Sequence, residues 1–150
     1  MNKSEERRDI PMFKTILQAN DGSAGAFKAL ALTLELAKQS GAELHMVCVE
    51  EISEFPETIG DVTNEKRAAD RKFRAVLQRA RTMADVQHVK LQTHLLTGHP
   101  VLSIVKLASE LGADLLVVGS TGHSPLYERL IGSRADRIVH LASCPVLVVK

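Results

Sequence analysis

Three glycines and one serine near the end of the sequence have a spacing that could hold a phosphate group. Gly119 and Gly122 are three residues apart, and Gly132 is followed directly by Ser133. Glycines can take positive φ angles and let the backbone approach a ligand, so that amide N–H groups point at an anion. Gly132 and Ser133 stand at the start of a predicted helix, where unpaired amides and the helix dipole favour an anion. The Ser133 hydroxyl could cap that helix or donate to a phosphate oxygen.

A plainer interpretation of these residues is structural: the glycines form a turn, and Ser133 only caps a helix. We favour the anion site because the pattern Gly-x2-Gly-x9-Gly-[Ser/Thr] arises by chance in about one chain in two hundred of this length, given average residue frequencies. His123 and Arg134 are the nearest cationic candidates. Arg134 could contact phosphate or point to solvent, and we do not assign His123 as a metal ligand.

These residues must be positioned by a larger fold, and the chain alternates five apolar runs with four helical patterns. Such alternation predicts a single α/β domain in which helices cover both faces of a parallel sheet. The second helix is predicted over 64–84, and the preceding segment 50–62, which contains Pro56 and Gly60, is expected to be irregular or mobile. The third strand alternates weakly, as suits a sheet edge. The predicted strands are 13–19, 43–49, 89–96, 114–118 and 145–149.

Open parallel sheets bind ligands beyond the carboxyl ends of their strands, where the strand order reverses. The polar segments at these ends are therefore the candidates for a site. Glu50 and Glu51 follow the second strand, where a carboxylate could reach ribose hydroxyls or simply be a solvated charge. The four candidate segments are 20–23, 50–51, 97–99 and 119–133.

Composition and missing motifs exclude several functional classes. No GxxxxGK[ST] is present, which excludes a P-loop NTPase, and no GxGxxG follows the first strand, which argues against a dinucleotide-dependent oxidoreductase. The net charge of +1, the absence of Trp and the single Tyr argue against nucleic-acid binding. No apolar run approaches the ~20 residues of a membrane span, so we expect no membrane insertion.

The remaining composition indicates the compartment and the absence of a metal. Residues 1–11 are charged and polar, without the apolar core of an export signal, so we expect a flexible N-terminal tail. Cys48 and Cys144 lack CxxC spacing and lie in or beside apolar runs, which favours buried free thiols and a cytoplasmic location. The six histidines show no ligand spacing, and His45 and His94 fall within strands, so we predict no metal site.

The glycine-serine pattern resembles the ATP-binding signature of the universal stress protein family. Four other segments fit the same family: ILQANDGS at 16–23, GAELHMVCV at 41–49, GADLLVVG at 112–119 and CPVLVV at 144–149. The resemblance extends from about Phe13 to Lys150, nearly the whole chain. It implies one universal stress protein domain over 12–150, a three-layer α/β/α sandwich with a Rossmann-like, five-stranded parallel sheet in the order 3-2-1-4-5.

The resemblance also implies a set of residues that contact ATP. The acidic residue after the first strand, Asp21, would contact the nucleoside, although from its type alone it could merely form a turn. The backbone of Val49 would contact adenine, and Arg134 is a departure from the family, which often has a small or β-branched residue there. The full predicted set is Ala19, Asn20, Asp21, Val49, Val118, Gly119, Gly122, His123, Gly132, Ser133 and Arg134.

The function that the resemblance implies is a regulatory module of the stress response that binds ATP, with or without Mg²⁺. Two alternatives stay open: an adaptor of the same fold that binds no nucleotide, and a slow ATPase. No catalytic residue is assigned, because efficient phosphoryl transfer requires placed metal ligands and a positioned nucleophile. A homodimer through the last strand, 145–150, and an unidentified signalling partner are also expected.

Overall fold

A strand precedes each of the helices, in the predicted order. The computed structural model describes residues 12–51, 59–120 and 131–150, and the predicted tail at 1–11 lies outside these ranges. Within them, five strands alternate with four helices. The strands are β1 (Thr15–Ala19), β2 (Glu43–Glu50), β3 (Leu91–Thr97), β4 (Leu115–Gly119) and β5 (Val146–Val149). The helices are α1 (Ala24–Ser40), α2 (Ile59–Val86), α3 (Pro100–Leu111) and α4 (Ser133–Leu141).

The strands form one sheet in the order β3-β2-β1-β4-β5, and every pair is parallel. The predicted α/β class, strand order and edge position of β3 are therefore confirmed. Parallel strands require a crossover connection, and each helix supplies one. No helix in the three described ranges is both long enough and apolar enough to cross a bilayer.

Two apolar clusters cover the two faces of the sheet. On one face, Ile16 and Met46 pack against Leu30 of α1 and Phe73 of α2. On the other face, apolar residues of the sheet pack against α3 and α4; they include Leu17, Val47, Leu116, Val101, Ile104 and Ile138. The central strands are buried on both sides, because three of the five residues of β1 and four of the five residues of β4 are buried. This explains why their sequences are almost continuously apolar.

Helix α2 begins five residues earlier than the sequence predicts. It starts at Ile59, so 59–62 are helical, which corrects the expectation of an irregular segment there; residues 52–58 lie outside the described ranges. Gly60 disfavours a helix by about 1 kcal/mol. Extending a helix is much easier than nucleating one, and α2 is held by Phe73, Val76 and Ala80 in the core. A single glycine in the first turn is therefore tolerated.

Two histidines that are 49 residues apart in the chain meet on neighbouring strands. His45 Nδ1 lies 2.9 Å from His94 Nε2, and His45 Nε2 lies 2.8 Å from Glu43 Oε1. Gln92 donates to the same carboxylate oxygen at 2.8 Å. In the hydrogen bond between His45 Nδ1 and His94 Nε2, one nitrogen donates and the other must accept. Only one of these two nitrogens can therefore carry a proton while the contact is kept. His45 is buried, and the pair therefore couples protonation to the packing of β2 on β3.

This cluster predicts a loss of stability in acid. Burial, and then the neighbouring His45, lower the pKa of His94 from its ordinary 6.5. Below that value the unfolded chain binds more protons than the folded chain, so the contribution of His94 is complete above about 6.5 and is lost as the pH falls toward the lower folded pKa. Hydrogen bonds from His45 and Gln92 also lower the pKa of Glu43. Protonation of Glu43 therefore also lowers the free energy of unfolding, at a lower pH than protonation of His94.

We expect the free energy of unfolding, measured by urea denaturation, to fall between pH 7.5 and pH 5.5. His94→Gln keeps a hydrogen-bonding group opposite His45 but cannot titrate, so the fall should be smaller in this variant. Equal falls in the wild type and in His94→Gln would contradict the assignment to His94.

Candidate functional site

A cavity of about 470 Å³ opens at the carboxyl ends of β1 and β4. The two strands are hydrogen-bonded neighbours, and the helices that follow them, α1 and α4, lie on opposite faces of the sheet. The crevice between the strand ends is the place where open parallel sheets bind ligands. Nine of the predicted residues line this cavity: Ala19, Asn20, Asp21, Val49, Val118, Gly119, Gly132, Ser133 and Arg134. The other two, Gly122 and His123, lie outside the described residues.

The turn between β1 and α1 is fixed by hydrogen bonds from its own side chains. Asn20 Oδ1 accepts from the Gly22 amide at 2.8 Å, and Asp21 Oδ1 accepts from the Ser23 amide at 3.0 Å. Ser23 is the N-cap of α1 and accepts from the Ala26 amide at 3.2 Å. Asp21 thus has the turn-forming role open to its residue type. The same bond holds its carboxylate at the cavity wall.

Asn20 brings an unpaired donor to the cavity. The residue is only 3% exposed, and its Nδ2 atom has no acceptor among the described residues. A buried polar group without a partner costs about 1–3 kcal/mol. A ligand acceptor in the cavity would remove that cost, so Asn20 favours a ligand with exposed oxygen or nitrogen acceptors.

Gly119 is required for close packing rather than for an unusual backbone angle. A Cβ atom at this position would lie 3.2 Å from both the carbonyl carbon and the oxygen of Gly25. Gly119 is not among the positive-φ glycines, which corrects the expectation of a positive φ there, and its close contact is with the backbone of α1. The start of α1 therefore lies directly against the end of β4.

The start of α4 has no side-chain cap among the described residues. Gly132, with φ −60°, is the N-cap, and it makes no side-chain hydrogen bond. Ser133 is the first helical residue, so the predicted possibility that its hydroxyl caps the helix is wrong. The Gly132 amide donates to the Ser120 carbonyl at 2.6 Å, which ties the helix start to the end of β4. Uncapped first-turn amides beside a cavity favour an anion.

The two glutamates at the end of β2, Glu50 within the strand and Glu51 directly after it, have different environments. Arg134 Nη2 lies 2.7 Å from Glu51 Oε2. Arg134 is therefore held in an ion pair, which is neither of the two positions predicted for it, in solvent or on a phosphate. Glu50 is 7% exposed, which excludes its interpretation as a solvated charge. Burial, and then the neighbouring Asp70, raise the pKa of Glu50. Glu51 lines the cavity, and Glu50 does not.

Sequence reasoning missed several residues of the cavity wall. Lys72 reaches the cavity from α2, and Pro100 and Ile104 contribute from α3.

Cys48 lies in the apolar cluster beneath α1 and α2, and burial raises its pKa to about 12, so its thiol is protonated at neutral pH. In the part of the chain that the structure describes, no group of three or more His, Cys, Asp or Glu side chains is arranged to hold a metal ion.

Comparison with known proteins identifies the family. The sequence model described as "Universal stress protein family" matches residues 12–150. The chain belongs to this family. Universal stress protein MJ0531 of Methanocaldococcus jannaschii is 33% identical over 147 residues, and the match covers 93% of this chain and 83% of that protein.

Solved structures of universal stress proteins have the same fold. UspA from Lactobacillus plantarum superimposes with a TM-score of 0.78 at 25% identity, covering 91% of this chain and 97% of that one. A universal stress protein in complex with cAMP superimposes with a TM-score of 0.72 at 27% identity, covering 92% and 97%. The predicted family resemblance is therefore confirmed.

The packing of Gly119 yields a test of the cavity wall. In Gly119→Ala, the Cβ would meet backbone atoms that can move only with α1, so we expect a destabilisation of about 1–3 kcal/mol and a displaced wall. Gly41→Ala is the matched control, because Gly41 has φ 68° and a Cβ added there would meet no atom within 4 Å. It should lose about 1–2 kcal/mol through backbone strain, without touching the cavity. Thermal unfolding measures both losses, and crystal structures of the two variants should show a displaced cavity wall only in Gly119→Ala.

Proposed function

We propose that this universal stress protein binds an adenine nucleotide, ATP with or without Mg²⁺, in the cavity at the ends of β1 and β4. The observation that carries the proposal is that one cavity collects residues from four separate stretches of the chain, 19–21, 49, 118–119 and 132–134. They bring a carboxylate, a buried donor amide, a closely packed glycine and an uncapped helix start to one crevice. The relative solved with cAMP supports an adenine nucleotide as the class of ligand.

The two sides of the cavity suit the two ends of a nucleotide. We assign the nucleoside to the wall of Ala19, Asn20 and Asp21 together with the Val49 backbone, because these groups offer donors and acceptors beside apolar surface. We assign the phosphates to the side where β4 ends and α4 begins, because a glycine backbone and the first amides of a helix there favour an anion. That side comprises Val118, Gly119, Gly132, Ser133 and Arg134, and the proposal also includes Gly122 and His123.

We further propose a regulatory role in the cytoplasm, with at most weak ATP hydrolysis. Efficient phosphoryl transfer needs metal ions held by placed carboxylates and a positioned nucleophile. In the described part of the chain, no group of three or more His, Cys, Asp or Glu side chains is arranged to hold a metal ion. Cys48 and Cys144 are unpaired thiols, which favours a reducing compartment.

Asp21→Asn tests the nucleoside wall. The variant keeps an Oδ1 atom that can accept from the Ser23 amide, so the turn should survive while the charge is lost. A hydrogen bond to a charged group contributes about 1.5–3 kcal/mol, so we expect ATP affinity to fall about 10- to 100-fold in isothermal titration calorimetry. Asp85→Asn removes the same charge from an exposed position of α2 outside the cavity and should leave the affinity unchanged.

Unchanged affinity in Asp21→Asn would show that the nucleoside lies elsewhere. If the wild-type protein binds neither ATP nor AMP, with or without magnesium, the nucleotide proposal is wrong and the adaptor function replaces it. Turnover of ATP that disappears in Ser133→Ala would favour the slow ATPase.

We also propose a homodimer that forms through β5. This strand is the edge of the sheet next to β4, and all four of its residues are half-buried within one chain. The carbonyls of Pro145 and Val149 accept hydrogen bonds from the Leu116 and Ser120 amides, at 3.0 Å and 2.9 Å. Backbone groups of a strand alternate between its two sides, so Val148 directs its N–H toward the open edge. An apolar edge with free amides can pair with a second copy.

Val148→Pro should therefore convert a dimer into a monomer, because it removes an outward N–H without removing a bond to β4. Val148→Ala keeps that N–H and should remain dimeric. Sedimentation velocity measures the mass of each, and circular dichroism checks that both are folded. A folded Val148→Pro protein that stays dimeric would mean that the interface lies elsewhere.

A further inference from the structure

An ion pair crosses the mouth of the cavity. Arg134 Nη2 donates to Glu51 Oε2 at 2.7 Å, although the two residues are 83 positions apart in the chain. Glu51 follows β2, Arg134 is in the first turn of α4, and both side chains line the cavity. Their side chains are 56% and 59% exposed, for Arg134 and Glu51 respectively, so a ligand can reach the contact from solvent.

Helix electrostatics explain why an anion belongs next to Arg134. The start of a helix carries partial positive charge, so an arginine in the first turn is unfavourable there and an anion is favourable. The first turn of α4 has no side-chain cap at Gly132, and it contains Asp136 as its acidic residue. Glu51 brings a second carboxylate to this helix start, from another part of the chain. It therefore occupies the electrostatic position that a ligand phosphate would take.

The charges on the described part of the cavity wall balance. Lys72 and Arg134 contribute two positive charges, and Asp21 and Glu51 contribute two negative charges. While Glu51 is paired with Arg134, the described part of the wall has no net charge, and a ligand phosphate gains no net attraction from it. If Glu51 moves away or loses its charge, the net charge of the wall becomes positive and Arg134 is free to form charge-assisted hydrogen bonds.

We propose that Glu51 is an internal substitute for ligand phosphate and sets how strongly the site discriminates between phosphorylated and unphosphorylated ligands. This inference rests on the proposed nucleotide function of the cavity. A phosphate displaces Glu51 from Arg134, so part of its favourable interaction is used to break the ion pair. The exposed pair is weak enough to be displaced, since such pairs change equilibria by only about two- to fivefold.

Three ligands separate this role from others. Isothermal titration with adenosine, AMP and ATP is carried out on the wild type, Glu51→Gln, Arg134→Gln and the double variant. Glu51→Gln should tighten AMP by about two- to fivefold and ATP by at least as much, and should leave adenosine unchanged. Arg134→Gln should weaken ATP and AMP, and adding Glu51→Gln to it should give a much smaller gain than in the wild type. The gain should shrink in high salt.

A matched control is available on α3. Glu110 pairs with Lys106 at 3.7 Å on the exposed surface, and neither residue lines the cavity. Glu110→Gln makes the same chemical change as Glu51→Gln and should alter none of the three affinities.

Several results would overturn the inference. If Glu51→Gln tightens ATP equally with and without Arg134, Glu51 merely repels phosphate and does not act through the ion pair. If it weakens ATP or changes adenosine, Glu51 contacts the nucleoside directly.

Titration with inorganic tripolyphosphate shows whether the proposed role of the Glu51–Arg134 pair is wrong or the proposed nucleotide function is wrong. Binding of tripolyphosphate that tightens in Glu51→Gln, without any binding of nucleotides, would support the ion-pair role and reject the adenine ligand. If neither nucleotides nor tripolyphosphate bind, both proposals are wrong.

Discussion

The hydrogen bonding of β1 to β4 is the constraint on which the candidate site depends. The two strands lie side by side, from Ile16 opposite Leu115 to Gln18 opposite Val117, yet the next helices pack on opposite faces of the sheet. Neither helix can then cover the gap between the strand ends, and a crevice stays open there. The groups assigned to the ligand that the structure describes lie at this crevice because each ends a strand, directly follows one or begins a helix beside it.

Close packing around that crevice has consequences for both stability and binding. The backbone of Gly119 lies against the start of α1, so a Cβ atom added there would be 3.2 Å from the Gly25 backbone and would press on that helix. The Nδ2 donor of Asn20 is buried without a partner among the described residues, which a well-packed core would avoid. Polar groups held this way lower the stability of the empty protein and are pre-organised for a ligand. The two apolar clusters on the faces of the sheet supply the stability that offsets them.

Local patterns and the family resemblance together predicted the fold and nine of the nineteen residues of the cavity wall, and contacts between distant segments remained hidden. Strands buried on both faces lose their alternation, so runs such as 115–118 were visible, and polar residues after such strands indicated the site. Lys72 could not be predicted, because nothing in the residues around an exposed lysine on an amphipathic helix indicates which distant part of the fold its side chain reaches. The pairs Glu51–Arg134 and His45–His94 depend on strand register and helix placement, which the spacing of residue types does not encode. The glycine pattern indicated an anion site, and adenine came only from the family resemblance.

A crystal structure of the protein grown with ATP tests the central claim most directly. We expect adenine and ribose against 19–21 and 49, phosphates beside Gly119 and the first turn of α4, and the Arg134 guanidinium turned from Glu51 toward the phosphates. A nucleotide bound elsewhere on the molecule, or a cavity that stays empty at saturating ATP with the Glu51–Arg134 pair intact, would contradict this claim.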